Sequence, residues 1–336
     1  MVALHPPSTF RLPRPGAILK AGAASALTLG AVDLARSAWT LPAAAPGDHS
    51  TATGARVSII IPTLQEGARI AATVAALRAL DPAPTEIIVA DGGSTDGTVR
   101  AAKKAGAKVV RVRRRGRGAQ MNAGARAAAH PLLWFVHADS RPPAGGVAAL
   151  RRAMRDPATV AGGFTTLILE DAATVSRPPG GGQALCLSMT VHNWASTFYA
   201  PILARPLSFA AGLRALFGDQ SIFCRAADFE RVGGYRGELP LMEDLSLVMD
   251  LHRAGPADRA AHGVRALWVA GPRRGRVRQL APPAATTSGR RFQAWGSSVK
   301  ATAIHFAVAL SWYAGVPAHV LEGVVRALYP PVSEVR

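Results

Sequence analysis

From Val57 onward, short hydrophobic runs alternate with amphipathic stretches along the chain. Val57–Ile61 (VSIII) is rich in β-branched residues and closes at Pro62, which predicts a strand buried on both faces. Gly67–Leu80 predicts a helix, with Ile70, Val74 and Leu77 on one stripe. Glu86–Ala90 predicts a second strand. The loop Asp91–Thr95 follows, with Ser94 or Thr95 placed to cap a helix that ends near Gly106. Lys108–Val112, Ala119–Ala129 and Leu132–His137 continue as strand, helix and strand. This alternation predicts an α/β fold with a mostly parallel central sheet flanked by helices. In such sheets ligands gather at the carboxyl ends of the strands, and each predicted strand is followed by polar residues.

Beyond Arg141 the alternation loosens. Ala148–Arg155 and Glu243–Ala254 predict helices; Val160–Leu169, Gln220–Cys224 and Val264–Val269 predict strands. Residues 170–184, containing RPPGGG, predict a disordered insertion. Lys300–Val316 is strongly apolar but short for a membrane span. A C-terminal apolar helix lying on the domain, or in peripheral contact with a membrane through residues 300–316, is expected. Residues 1–55 differ from the rest: Arg11, Arg14, Lys20 and Arg36 face only Asp33 and Asp48, among many Ala, Pro, Ser and Thr. That composition fits a transit peptide, a plain disordered extension or a signal anchor. Localisation is accordingly an organelle (chloroplast or mitochondrion) if the leader is a transit peptide, and otherwise cytoplasmic or peripheral membrane. The folded domain is expected over residues 56–330.

Charge adds one question. The 336 residues carry a net charge of +18, and nine Lys or Arg lie between Arg100 and Arg117 without an acid. This stretch is either a solvated basic face or an anion-binding patch. A nucleic-acid reading would need an aromatic stacking platform or a recognition helix; aromatics are 6% and do not interleave with the basic run, so no specific nucleic-acid partner is expected. Cys186 and Cys224 are too few for a disulfide framework and have no metal spacing.

The candidate chemistry sits after the strands. Glu66 follows the first, where it caps a helix or touches a ligand. The second ends in the string Asp91-Gly92-Gly93-Ser94-Thr95-Asp96-Gly97-Thr98. There Gly92 lets backbone approach a ligand, Asp91 can accept hydrogen bonds from a base or ribose, and Asp96 can cap or brace the loop. Arg117, Gln120 and Asn122 open the helix after the third strand, at a positive helix end suited to phosphate. The fourth delivers His137-Ala138-Asp139; in an extended segment these two side chains share a side, so both could face one divalent ion. Glu243 and Asp244 begin a helix, where they serve either its dipole or, as a general base, an acceptor hydroxyl.

Taken in order, SIIIPTLQE, IIVADGGSTDGT, GRGAQMNAGA, LWFVHADS, FGDQSIFCR, FERVGGY and LPLMEDLSL resemble the family 2 glycosyltransferases over roughly residues 57–330. HADS, GDQ and PLMED are most similar to a subgroup associated with arsenosugar biosynthesis or with radical-SAM/selenodomain proteins. The resemblance implies a GT-A fold and a nucleoside-diphosphate sugar donor, often UDP-linked, with donor contacts at Pro62, Glu66, Asp91 and Arg117. It matches Asp139 to the last acid of a D-x-D metal motif for Mn²⁺ or Mg²⁺, with His137 in place of the first acid. It matches Asp244 to the catalytic base and sets Asp219 and Gln220 on the acceptor side. Arg290 and Arg291 stand where relatives carry an arginine–aromatic motif. The acceptor is open: a small metabolite, a lipid or a glycan end. Three rivals accompany this reading: a nucleotidyltransferase, a basic nucleic-acid-binding protein, and a catalytically silent relative because of His137. The first expects a Gly- and Arg-rich loop where PTLQE stands.

Overall fold

The computed structural model describes residues 54–114, 116–169, 186–237, 239, 241–255, 275–289, 298–313 and 315–328. Most of the expected leader, the 170–184 insertion, the strand expected at Val264–Val269, and Arg290 and Arg291 lie outside the described residues.

The first half alternates as the sequence predicts: β1 (Val57–Thr63), α1 (Ile70–Arg78), β2 (Glu86–Asp91), α2 (Thr98–Lys104), β3 (Lys108–Arg111), α3 (Arg117–Ala127) and β4 (Leu132–Phe135). The second half adds β5 (Ser140–Arg141), α4 (Gly146–Met154), β6 (Thr159–Leu169), α5 (Leu187–Ala204), α6 (Pro206–Ala210) and a 3₁₀ turn at Gly218–Gln220. Then come β7 (Phe223–Arg225), α7 (Ala226–Arg231), α8 (Glu243–Ala254), β8 (Arg276–Ser288), α9 (Ser298–Tyr313) and α10 (Ala318–Leu328). The strands form one sheet in the order β3-β2-β1-β4-β7-β6-β8-β5. The pairings β2–β3, β1–β2, β1–β4 and β6–β8 are parallel, while β7 and β5 run against their neighbours. Six strands thus point one way, giving a mostly parallel sheet with the mixed second half of a GT-A fold.

Strand β1 shows why both faces must be apolar. Ile59 and Ile61 pack with Ile70, Val74 and Leu77 of α1 and with Val147 and Leu150 of α4. Ile60 turns to the opposite layer, with Met121 of α3 and Leu245 and Val248 of α8. All three isoleucines are fully buried, worth ~1.5–3 kcal/mol each. Cys186 and Cys224 are both buried and free.

Several boundaries differ from expectation for local reasons. Helix α1 begins at Ile70 because the Glu66 carbonyl accepts the N–H groups of Arg69 and Ile70, making residues 67–69 a turn. Ser94 and Thr95 do not cap α2: it starts at Thr98, whose N–H donates to Asp96 Oδ1 at 3.1 Å. The strand expected at Gln220 starts only at Phe223, since Gly218–Gln220 is a 3₁₀ turn. β8 was not expected, because Pro282 and Pro283 interrupt its pattern. They sit in an irregularity between the pairs Phe164–Leu280 and Thr166–Ala285, so the ladder loses no donor it needs there. The expected apolar C-terminal segment forms α9 and α10, and no helix among the described residues is long and apolar enough to cross a membrane.

Candidate active site

The carboxyl ends of β1 and β4, the start of α3 and the start of α8 surround one cavity of about 530 Å³. Its polar wall carries Pro62, Glu66, Arg117, Gln120, His137, Asp139, Asp219 and Asp244. Eight of the residues singled out in the sequence therefore share one hollow, although they span from position 62 to position 244.

Arg117 is its centre of charge. The guanidinium donates from Nε to Glu243 Oε1 at 2.5 Å and from Nη2 to Asp244 Oδ2 at 3.0 Å. Both carboxylates are nearly inaccessible, while the Arg117 side chain keeps 37% exposure towards the cavity. Burial works against the guanidinium charge, but Asp244 and then Glu243 hold it well above even its ordinary range. The sequence assigned Arg117 to the donor phosphates; in the structure it also holds the acid pair Glu243 and Asp244 while keeping an opening to the cavity. Burial, with the charges of Glu243 and Asp219, pushes the Asp244 carboxyl up to about 7, against Arg117 and the Gly218 N–H. Asp244 Oδ1 is buried without a hydrogen-bond partner.

The Gly218–Gln220 turn brings the remaining acid. Asp219 faces the cavity and accepts a hydrogen bond from Asn193 Nδ2 of α5. Burial pushes its carboxyl up to about 6; Asp139 adds to the rise, and Arg117 and Asn193 oppose it. Gly218 is required by close approach. A Cβ there would lie 2.6 Å from the His137 ring and 2.8 Å from Asp244 Oδ2, so imidazole and carboxylate converge on the space that a side chain would fill. Gln220 turns away from the cavity. It is fully buried, bonded through Nε2 to Thr197 Oγ1 at 2.9 Å and through Oε1 to the Phe217 N–H at 2.9 Å, so it fixes the turn rather than meeting a ligand.

The Asp91–Thr98 string is mainly a clasp between two strand–helix loops. Ser94 Oγ accepts the Gln65 N–H at 2.9 Å, Asp96 Oδ2 the Gly67 N–H at 2.8 Å and Thr98 Oγ1 the Glu66 N–H at 2.9 Å. Asp91 Oδ2 braces the loop through the N–H groups of Gly93 and Ser94, leaving buried Oδ1 without a partner. A Cβ at Gly92 would lie 2.5 Å from Gln120 Nε2, which donates to the Thr63 carbonyl at 2.6 Å. Gly92 and Gln120 thus pin the ends of β1 and β2 together, and Asp91 lies behind the cavity wall rather than on it. Residues 137–140 form a turn, with the Ser140 N–H donating to the His137 carbonyl at 3.1 Å. His137 and Asp139 accordingly reach the cavity by the turn, not by the extended alternation expected of them. Among the described residues, the non-glycine residues with positive φ are Gln65, Ser221 and Met242. Gln65 adjoins Glu66 and Met242 adjoins Glu243, and such backbone persists only where the surroundings impose it.

The family description Glycosyl transferase family 2 matches residues 58–202. That match covers somewhat less than half of the chain. Over 97 residues it is 35% identical to uncharacterized glycosyltransferases of Mycobacterium tuberculosis and Mycobacterium bovis, a stretch that is 29% of this chain and 43% of theirs. The chain thus spans under half the length of these curated relatives. In fold it is similar to the mannosyltransferase PcManGT of Pyrobaculum calidifontis in complex with GDP-Man and Mn²⁺. There the TM-score is 0.51 with 16% identity, over 92% of this chain and 81% of that one. It is also similar to glucosyl-3-phosphoglycerate synthase of Mycobacterium tuberculosis in complex with Mn²⁺, UDP-glucose and phosphoglyceric acid. That TM-score is 0.50 with 20% identity, over 83% and 87% of the two chains.

The donor set of the cavity fits a divalent cation. Asp139 and Asp219 lie near enough for one charge to raise the other, a repulsion that a cation relieves. Among the described residues no group of three or more His, Cys, Asp or Glu forms a closed metal cage. Ions that work with phosphates generally take one or two carboxylates and draw the other ligands from phosphate and water. The sequence missed the contribution of α5: Met189, His192, Asn193, Ser196 and Tyr199 all line the cavity. Their spacing of three and four residues is one helical face, and its polar members in a largely apolar helix were the available signal.

Proposed function

We propose that the protein transfers a sugar from a nucleoside-diphosphate donor, UDP-linked by the family resemblance, to an acceptor hydroxyl by inverting displacement. The supporting observation is the single cavity in which Asp244, with a partnerless buried oxygen, faces Asp139 and the donor-side residues Pro62 and Glu66. Asp244 Oδ2 is held by Arg117, which leaves Oδ1 to take the acceptor proton as the hydroxyl attacks the sugar carbon. Glu243 and Arg117 orient that carboxylate. Asp139, with either Asp219 or His137 as a second protein ligand, would hold the divalent ion, Mn²⁺ or Mg²⁺. When bound, that ion supplies positive charge opposite the departing diphosphate. Arg290 and Arg291 are proposed as further cations for the leaving group. The strings HADS, GDQ and PLMED support placement in the arsenosugar-biosynthesis or radical-SAM/selenodomain-associated subgroup. Peripheral membrane contact through residues 300–316 is supported by Leu310, which is exposed on α9.

Thermal denaturation with a panel of nucleotide sugars, with and without Mn²⁺, tests the proposal. A nucleoside-diphosphate sugar should raise the melting temperature, and more so with Mn²⁺, because ligand binds the folded state. Absence of a shift across UDP-, GDP- and other NDP-sugars would contradict it.

A further inference from the structure

The cavity has a second wall that the transfer chemistry above leaves unused. Helices α5, α9 and α10 supply Met189, Tyr199, Ile304, Val308, Ala309 and Val325. The two helices α5 and α9 pack through ring contacts: Tyr199 to Phe306 at 5.5 Å and His192 to His305 at 6.5 Å between centroids. Tyr199 Oη and His192 Nδ1 lie 3.3 Å apart, so these two polar atoms meet each other. Burial, and next the neighbouring His305, hold the His192 ring neutral, with its value lowered to about 4.

Charge decides what such a wall can accept. Among the described residues lining the cavity, Arg117 is the only Lys or Arg, and its guanidinium is engaged by Glu243 and Asp244. A phosphorylated or carboxylated acceptor would enter beside the acids Asp139, Asp219 and Asp244, whose repulsion adds to its desolvation cost. A free sugar would set part of its surface against Ile304, Val308 and Val325, which offer its hydroxyls no partner, although His192, Asn193, Ser196 and His305 line the same cavity. An apolar molecule loses nothing there and gains by burial. The outer surfaces of the neighbouring helices have the same character: Leu187, Val191, Leu203, Leu207, Val320 and Val324 are exposed on α5, α6 and α10.

We infer that the α5–α9 wall is the acceptor subsite and takes an uncharged, predominantly apolar alcohol whose hydroxyl reaches Asp244. The assignment as acceptor rests on the transferase reading; binding of the alcohol does not. The test uses the full-length protein and farnesol and decanol as probes, against 3-phosphoglycerate and glucose, by calorimetry and thermal denaturation. UDP with Mn²⁺ is a separate arm. Farnesol and decanol should bind saturably, and Ile304→Asp should weaken them at least about tenfold while the nucleotide response persists, which shows that the variant is folded. Val325→Asp, on another helix, should act in the same direction. Tighter binding of 3-phosphoglycerate or glucose than of the alcohols would overturn the inference. So would alcohol binding unchanged in both variants, or a nucleotide response with no alcohol binding; this last result leaves the transferase reading standing. Alcohol binding lost in the variants, with no nucleotide response in any protein, would remove the acceptor role along with the transferase reading.

Discussion

Replacing Asp244 by Asn keeps shape and removes the proton acceptor. Glu243 still holds Arg117 at 2.5 Å, so the loops around α8 should keep their places. Losing a positioned general base costs about 10²–10⁴ in rate, or ~2.7–5.5 kcal/mol of barrier. The wild-type kcat/KM should rise with pH through about 7, where the Asp244 carboxyl ionises, and level off above it. The variant should lose that limb. Stability should move the other way. The folded value is raised above the ordinary aspartate value of about 3.9, so ionising Asp244 weakens the folded state. That cost is absent below pH ~4, grows up to about 7 and is complete above it. Some three units at ~1.4 kcal/mol each set a ceiling of ~4 kcal/mol. The amide of the Asp244→Asn variant cannot ionise, so at pH 8 the variant should unfold at a higher temperature than wild type, and at pH 4 the two should converge. Single-turnover transfer and thermal denaturation across pH 4–9 read both effects. Turnover within a few fold of wild type with the pH limb intact, in a folded variant, would refute the base assignment; equal stability at pH 8 would refute its buried, repelled state.

Arg117→Met should push the pH limb up by about one unit or more, because Arg117 opposes the rise at Asp244 and its opening to the cavity screens only part of that influence; a pH–rate profile measures it. Asp139→Asn should raise the Mn²⁺ concentration needed for half-maximal transfer at least about tenfold, leaving the fold unchanged by circular dichroism. Gly218→Ala should drive a methyl group into the His137 ring and Asp244 Oδ2, lowering stability by ~1–3 kcal/mol and transfer far more than donor binding. Asp96→Ala should release the Gly67 N–H and the Thr98 contacts and weaken nucleotide affinity without moving the pH limb; calorimetric titration with UDP and Mn²⁺ checks this.

The parallel half of the sheet was legible because each of its strands is a local apolar run. Its helices carry their own stripes, as at Ile70, Val74 and Leu77. α8 was read at both ends, since Glu243 and the glycine after Ala254 are local start and stop signals. Proximity among distant segments was not legible. Arg117 meets Glu243 across 126 residues, and no spacing in the sequence says that a basic helix start will be matched by an acidic one. Its reading as a phosphate ligand followed from the helix end and the family resemblance. Asp91 Oδ2 braces the loop clasp and Gln120 joins the ends of β1 and β2, internal needs that polarity in a sequence does not distinguish from a binding site, while Gln120 also lines the cavity. β8 was hidden by Pro282 and Pro283, and the lining face of α5 by the apolar residues around it.

Crystals soaked with Mn²⁺ and a nucleoside diphosphate, with anomalous scattering used to place the manganese, would address the shared cleft itself. A peak is expected beside the Asp139 carboxylate, with the diphosphate in the same cavity as Asp244. Manganese and nucleotide bound outside that cavity would contradict it.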